Sequence, residues 1–160
     1  MKLRRQSGGM SGLQRKTIFI DRNSGGRTFR DLLTNSGINV VLHDEQFHPT
    51  TSDDVWLKKV GALGMVMVTG DIAVERSYLF LSALRRSRSQ VFILCGLNHA
   101  SREARADCII DAYPEILRLC HSHPGPRLWK TNKSGEFKPV NFKHELGILK
   151  RISKTGSVRL

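Results

Sequence analysis

The chain has 160 residues, 39% of them apolar, which suits one domain with a substantial core. Lys and Arg number 26 against 14 Asp and Glu, a formal charge of +12, so nucleic acid or another acidic partner is favoured over a neutral one. No apolar run approaches the roughly 20 residues that cross a bilayer, no apolar segment follows Arg4-Arg5 as a secretory signal requires, and three separated cysteines exclude a full disulfide framework; a cytoplasmic protein with buried, reduced thiols is expected.

Residues 1–16 are rich in Gly, Ser, Arg and Lys without periodicity and read as a disordered basic arm. From Thr17 onward strands and helices alternate. Ile18-Phe19-Ile20 is a short continuous apolar run, as a strand buried on both faces requires. Phe29, Leu32 and Leu33 follow at helical spacing, and Gly37 stands where a left-handed helix stop belongs. Ile38 to Leu42 is the second strand. Trp56, Val60 and Leu63 mark the next helix, with Thr51 and Asp54 at capping-box spacing before it. Met65 to Thr69 is the third strand, and Val74, Tyr78 and Leu81 form one helical stripe after it. Gln90 to Cys95 is the fourth strand. A long helical pattern then runs from Ala104 to Leu119, which Pro114 is expected to bend or split. Leu128-Trp129-Lys130 is a fifth strand, and Ser134-Gly135 turns into a terminal hairpin with Phe137 to Val140. Residues 143–160 read as a basic, weakly patterned tail, leaving a domain over 17–142.

This alternation predicts an α/β three-layer sandwich with a central, mainly parallel sheet of about five strands. In such sheets ligands bind beyond the carboxyl ends of the strands, where the winding direction reverses. Asp21 ends the first strand and Asp71 follows the third, so a strand order 2-1-3-4-5 brings them to one crevice. Asp53 opens a helix that begins on the same edge. Clustered carboxylates repel one another, and a divalent cation with oxygen ligands offsets that repulsion. Such an ion supports phosphodiester hydrolysis, while a basic surface holds the phosphate backbone. Taken singly, each acid also suits a turn or a helix cap; together they favour a site. Asp54 keeps the capping role, Asp44 and Glu75 are further candidates, and Asp107 and Asp111 fit a solvated helix face. Neither GxSxG, GxxxxGK[ST] nor GxGxxG occurs, which argues against a nucleophile elbow, a P-loop and a dinucleotide fold.

In order along the chain, Ile18-Phe19-Ile20-Asp21-Arg22-Asn23, His43-Asp44-Glu45-Gln46-Phe47, Ser52-Asp53-Asp54-Val55-Trp56-Leu57 and Val66-Met67-Val68-Thr69-Gly70-Asp71 resemble the segments of PIN-like nuclease domains. The resemblance is closest to PIN-like toxins of the VapC type and spans roughly Thr17 to Lys130. It implies a Mg²⁺- or Mn²⁺-dependent ribonuclease with an RNA substrate and a cognate antitoxin, in a family whose members often dimerise. Carried over, Asp21, Asp53 and Asp71 are metal-binding and catalytic. The fourth acid of many PIN domains has no counterpart in Leu94-Cys95-Gly96-Leu97-Asn98-His99, where Asn98 offers only a neutral oxygen. That departure motivates an alternative, a catalytically inactive nucleic-acid-binding module. A receiver-type phosphoacceptor is a third reading, but Asp21-Arg22 lacks its early carboxylate pair.

Overall fold

The computed structural model describes residues 13–22, 24 and 26–155, with side chains as far as 152. The predicted arm up to residue 12, two positions of the Asn23-Ser24-Gly25-Gly26 turn and the last five residues of the predicted tail lie outside the described residues. The strands are β1 (Ile18–Ile20), β2 (Val40–Leu42), β3 (Val66–Thr69), β4 (Gln90–Ile93), β5 (Arg127–Thr131) and β6 (Phe137–Pro139). The helices are α1 (Arg27–Asn35), a short α2 (His43–Gln46), α3 (Asp53–Ala62), α4 (Tyr78–Arg86), α5 (Arg102–Ser122) and α6 (Phe142–Thr155), with 3-10 turns at Ile72–Arg76 and Leu97–His99.

One six-stranded sheet has the order β2-β1-β3-β4-β5-β6. The first five strands are parallel and β6 joins β5 antiparallel. The pleat sends alternate side chains to opposite faces, and two cores result. Ile18, Ile20, Val66, Val68, Phe92 and Trp129 meet α1 and α5. Phe19, Met67, Val91, Ile93 and Leu128 meet α3, α4 and α6. Burial on both faces explains why β1, β3 and β4 lack polar alternation.

Helix α1 ends as its glycine predicts. Gly37 has φ +86°, its N–H bonds to Thr34 O at 2.9 Å, and Ile38 N reaches Leu33 O at 3.1 Å. This paired closure turns the chain directly into β2.

Several elements depart from the pattern reading. Pro114 neither splits α5 nor starts a new helix: one helix runs for 21 residues. The Val74–Leu81 stripe is two pieces, because Ser77 caps α4 by accepting a hydrogen bond from Phe80 N at 3.2 Å. Helix α3 is capped at Ser52, not Thr51, and the Asp54 carboxylate pairs with Arg86 instead of the helix end. Cys95 and Cys108 are exposed; only Cys120 is buried, which pushes its thiol up to about 11. Residues 13–16 of the predicted arm are held: Arg15 donates to Gly37 O at 2.6 Å, and the Tyr113 hydroxyl donates to Lys16 O at 2.7 Å. The predicted tail carries the 14-residue α6, whose Phe142 and Leu146 are buried beside α4. Burying two such side chains is worth about 3–6 kcal/mol together.

Candidate active site

The sheet reverses its winding at β1, which has β2 on one side and β3 on the other. Loops leaving adjacent strands at such a point part and open a crevice. Asp21 leaves β1 and Asp71 follows β3 by two residues, with Ile20 and Val68 in register. A cavity of about 300 Å³ opens there, lined by Asp21, Asp53 and Asp71, with Arg22 and His43 beside them and Trp56, Met67 and Phe80 among its apolar walls.

The three acids are held differently. Asp21 is the most deeply placed: its Oδ1 is buried and accepts no hydrogen bond from the described residues. Burial pushes its pKa up, the Ser24 and Thr69 hydroxyls pull it back, and the charge of Asp71 adds to the rise. Asp71 caps the 3-10 turn, accepting from Ala73 N at 2.9 Å. The capping role and the crevice position therefore belong to one residue. Asp53 lines the same cavity, but its Oδ1 accepts from Trp56 Nε1 at 3.1 Å. Burial raises its pKa, and the Trp56 hydrogen bond opposes that.

The further acids are engaged elsewhere. Asp44 accepts from Arg22 Nε at 3.1 Å and lies 3.0 Å from His43 Nδ1; the His43 bond, helped by the Arg22 charge, holds its pKa below the ordinary value. Glu75 is ion-paired with Lys130.

Four polar residues join the acids at this edge, and of these Asn98 is the one the sequence singled out. Ser24 is fully buried; its Oγ accepts from Gly70 N at 3.0 Å and lies 3.4 Å from Thr69 Oγ1. Thr69 Oγ1 in turn accepts from Asp71 N at 3.0 Å. Together these bonds tie the β1 loop to the β3 loop. His43 is buried among the rings of Phe19, Phe47 and Trp56. Asn98 packs against Gly70, and its Oδ1 is buried without a partner. For His43 the adjacent Asp44 was a usable hint; a serine in a glycine-rich turn was not.

No group of three or more His, Cys, Asp or Glu among the described residues is arranged to hold a metal ion. The Asp21–Asp71 pair nevertheless suits a hard cation. Both donors are carboxylates, one oxygen lacks a donor among the described residues, and Mg²⁺ keeps several waters while taking only one or two carboxylates. Such a site needs no third direct ligand, and Asp53 lines the same cavity.

No helix among the described residues is long and apolar enough to cross a membrane. No curated protein and no solved structure matches the chain. A family model described as a PIN like domain matches residues 17–96, half of the 160 residues and the stretch that carries all three acids. The chain belongs to the PIN-like domain family.

Proposed function

We propose that the protein is a metal-dependent endoribonuclease of the VapC type, the toxin of a toxin–antitoxin pair, which hydrolyses RNA phosphodiester bonds at Asp21, Asp53 and Asp71. PIN-like domains are in general nucleases that act on nucleic acids. The observation that carries the proposal is the meeting of Asp21 and Asp71 at the sheet's reversal point, with a buried Asp21 oxygen that no donor among the described residues satisfies. Asp21 and Asp71 would hold Mg²⁺ or Mn²⁺, and Asp53, which lines the same cavity, would orient a water there. A bound divalent cation supplies charge stabilisation to the phosphoryl oxygens and a more acidic water. The carboxylates would fix that charge in place, and the +12 chain attracts the RNA backbone. The proposed setting is the cytoplasm, with a small antitoxin encoded beside the gene and a homodimer as the working form.

The test is RNA cleavage with Mg²⁺, with Mn²⁺ and with chelator. Asp21→Asn and Asp71→Asn should each lose at least about a hundredfold in rate, taking the upper range for groups that order a metal as the floor for a ligand. Wild-type rates in both variants would reject the site. The alternative, an inactive nucleic-acid-binding module, is favoured by one observation: Asn98 stands after β4 where a fourth carboxylate would complete a second metal position. Salt-sensitive RNA binding without cleavage in any divalent metal would select it.

A further inference from the structure

Arg105 lies in the second turn of α5, at the carboxyl edge of the sheet. Its guanidinium is half-buried and makes no ion pair with a carboxylate among the described residues. Instead it bonds to three backbone carbonyls: Nε to Ala100 O at 3.0 Å, one terminal nitrogen to Ser24 O at 3.2 Å and the other to Asn98 O at 3.1 Å. A cation in the opening turns of a helix opposes the helix dipole, so helix electrostatics do not account for it. One of the three carbonyls belongs to the loop after β1, and the other two to the connection between β4 and α5. Both distant arms of the fork lead to Gly70-Asp71. Ser24, held through its carbonyl, presents Oγ to Gly70 N and to Thr69 Oγ1, and Thr69 receives Asp71 N. Asn98, held through its carbonyl, packs its side chain on Gly70; a Cβ there would fall 2.7 Å from Asn98 Cγ and 2.9 Å from Asn98 N. The same Ser24 and Thr69 hydroxyls face the Asp21 carboxyl.

We propose that Arg105 is a positioning residue of the acidic crevice: by clamping the β1 and β4 loops through their carbonyls it sets Asp21 and Asp71 at the separation a divalent cation needs. This rests on the metal-dependent reading above. The fork meets the three carbonyls from three separate nitrogens; a lysine ammonium carries its three donors on a single atom and does not span the same positions.

The experiment titrates Mn²⁺ alone into wild type, Arg105→Lys, Arg105→Gln and Arg102→Gln by calorimetry, with far-UV circular dichroism as the folding check. Arg102 is exposed at the start of the same helix and serves as a charge control. Coulomb's law sets the sign of the bland outcome: removing a cation near carboxylates tightens Mn²⁺ binding. Loss of the clamp acts the other way, and both Arg105 variants should bind Mn²⁺ about tenfold more weakly, the lower range for groups that orient ligands, while Arg102→Gln binds no more weakly than wild type. Equal or tighter binding by Arg105→Gln, or wild-type binding by Arg105→Lys, overturns the proposal. If Arg105→Gln does not fold, Arg105→Lys carries the same decision. If wild type itself binds no Mn²⁺, the metal reading fails on its own. The clamp is then decided by amide exchange at Gly70 and Asp71: faster exchange in the Arg105 variants supports it, and unchanged exchange overturns it.

Discussion

Asp21→Asn should make the metal-free protein more stable and remove its response to divalent cations. The carboxyl is largely buried, Oδ1 accepts nothing from the described residues, and Asp71 adds to the cost of its charge. Its folded pKa is therefore above the unfolded value of 3.8. The folded chain keeps this proton to higher pH than the unfolded chain does. Stability then falls as pH rises between the two values, and the whole penalty is present above the folded one. Each pKa unit is worth about 1.4 kcal/mol, and a buried polar group left unpaired costs about 1–3 kcal/mol. A neutral amide in its place should recover about 1–2 kcal/mol at neutral pH, a rise in Tm of about 2–8 °C for a chain of this size. A bound cation reverses the ranking. At about a hundredfold excess over Kd, wild type gains about 2.7 kcal/mol, and Asp21→Asn gains little. Urea unfolding in chelator and in excess Mg²⁺, at neutral and mildly acidic pH, measures both terms. In chelator the advantage of the variant should shrink on acidification, as the wild-type carboxyl takes up its proton. A variant less stable than wild type in chelator, or an equal Mg²⁺ gain in both proteins, would refute the reasoning.

Mn²⁺ affinity should weaken on acidification through the raised pKa of Asp21, because protonation removes the donor. Calorimetry across pH should place that limb above the ordinary carboxylate value, and a limb at or below 3.8 would contradict it. Gly70→Ala drives a methyl into Asn98 and should cost about 1–3 kcal/mol in urea unfolding and weaken Mn²⁺ binding as well. Leu146→Ala removes a buried contact of α6 and should cost about 2–5 kcal/mol in thermal unfolding. A loss well under 1 kcal/mol would show that α6 adds nothing to the core.

The parts of the fold that were legible are those written in short sequence windows. Ile18 to Ile20, Val66 to Thr69 and Gln90 to Ile93 are continuous apolar runs because each is buried on both faces. Gly37 and Gly64 sit at positive φ, so the ends of α1 and α3 were fixed by residue type. Alternation permits several strand orders; the observed one keeps β3 beside β1, and this puts Asp21 beside Asp71. What was not legible depends on distant partners. Helix α6 has its stripe at Phe142, Leu146 and Leu149, but Gly147 and the surrounding lysines dilute the pattern until α4 is there to receive it. By contrast, the β5–β6 hairpin needed no distant partner: Ser134-Gly135 marks its turn, and Phe137 to Pro139 pairs antiparallel with β5. Asp54 reads as a cap until Arg86 folds back over 32 residues to take its charge. The Cys95 and Cys108 runs look apolar in sequence, yet the first lies past the end of β4 and the second on the outer face of α5. Ser24 and Arg105 are 81 residues apart, and no local pattern announces a bond between a turn carbonyl and a later helix.

The outermost strand bears on how copies of this chain behave together. β6 ends in Lys138 and Pro139, both exposed. Pro139 has no N–H to offer an incoming strand, and an exposed ammonium resists being covered by one. That border is a poor template for intermolecular pairing, so molecules gathered at high local density along a phosphate polymer are protected there from cross-β growth.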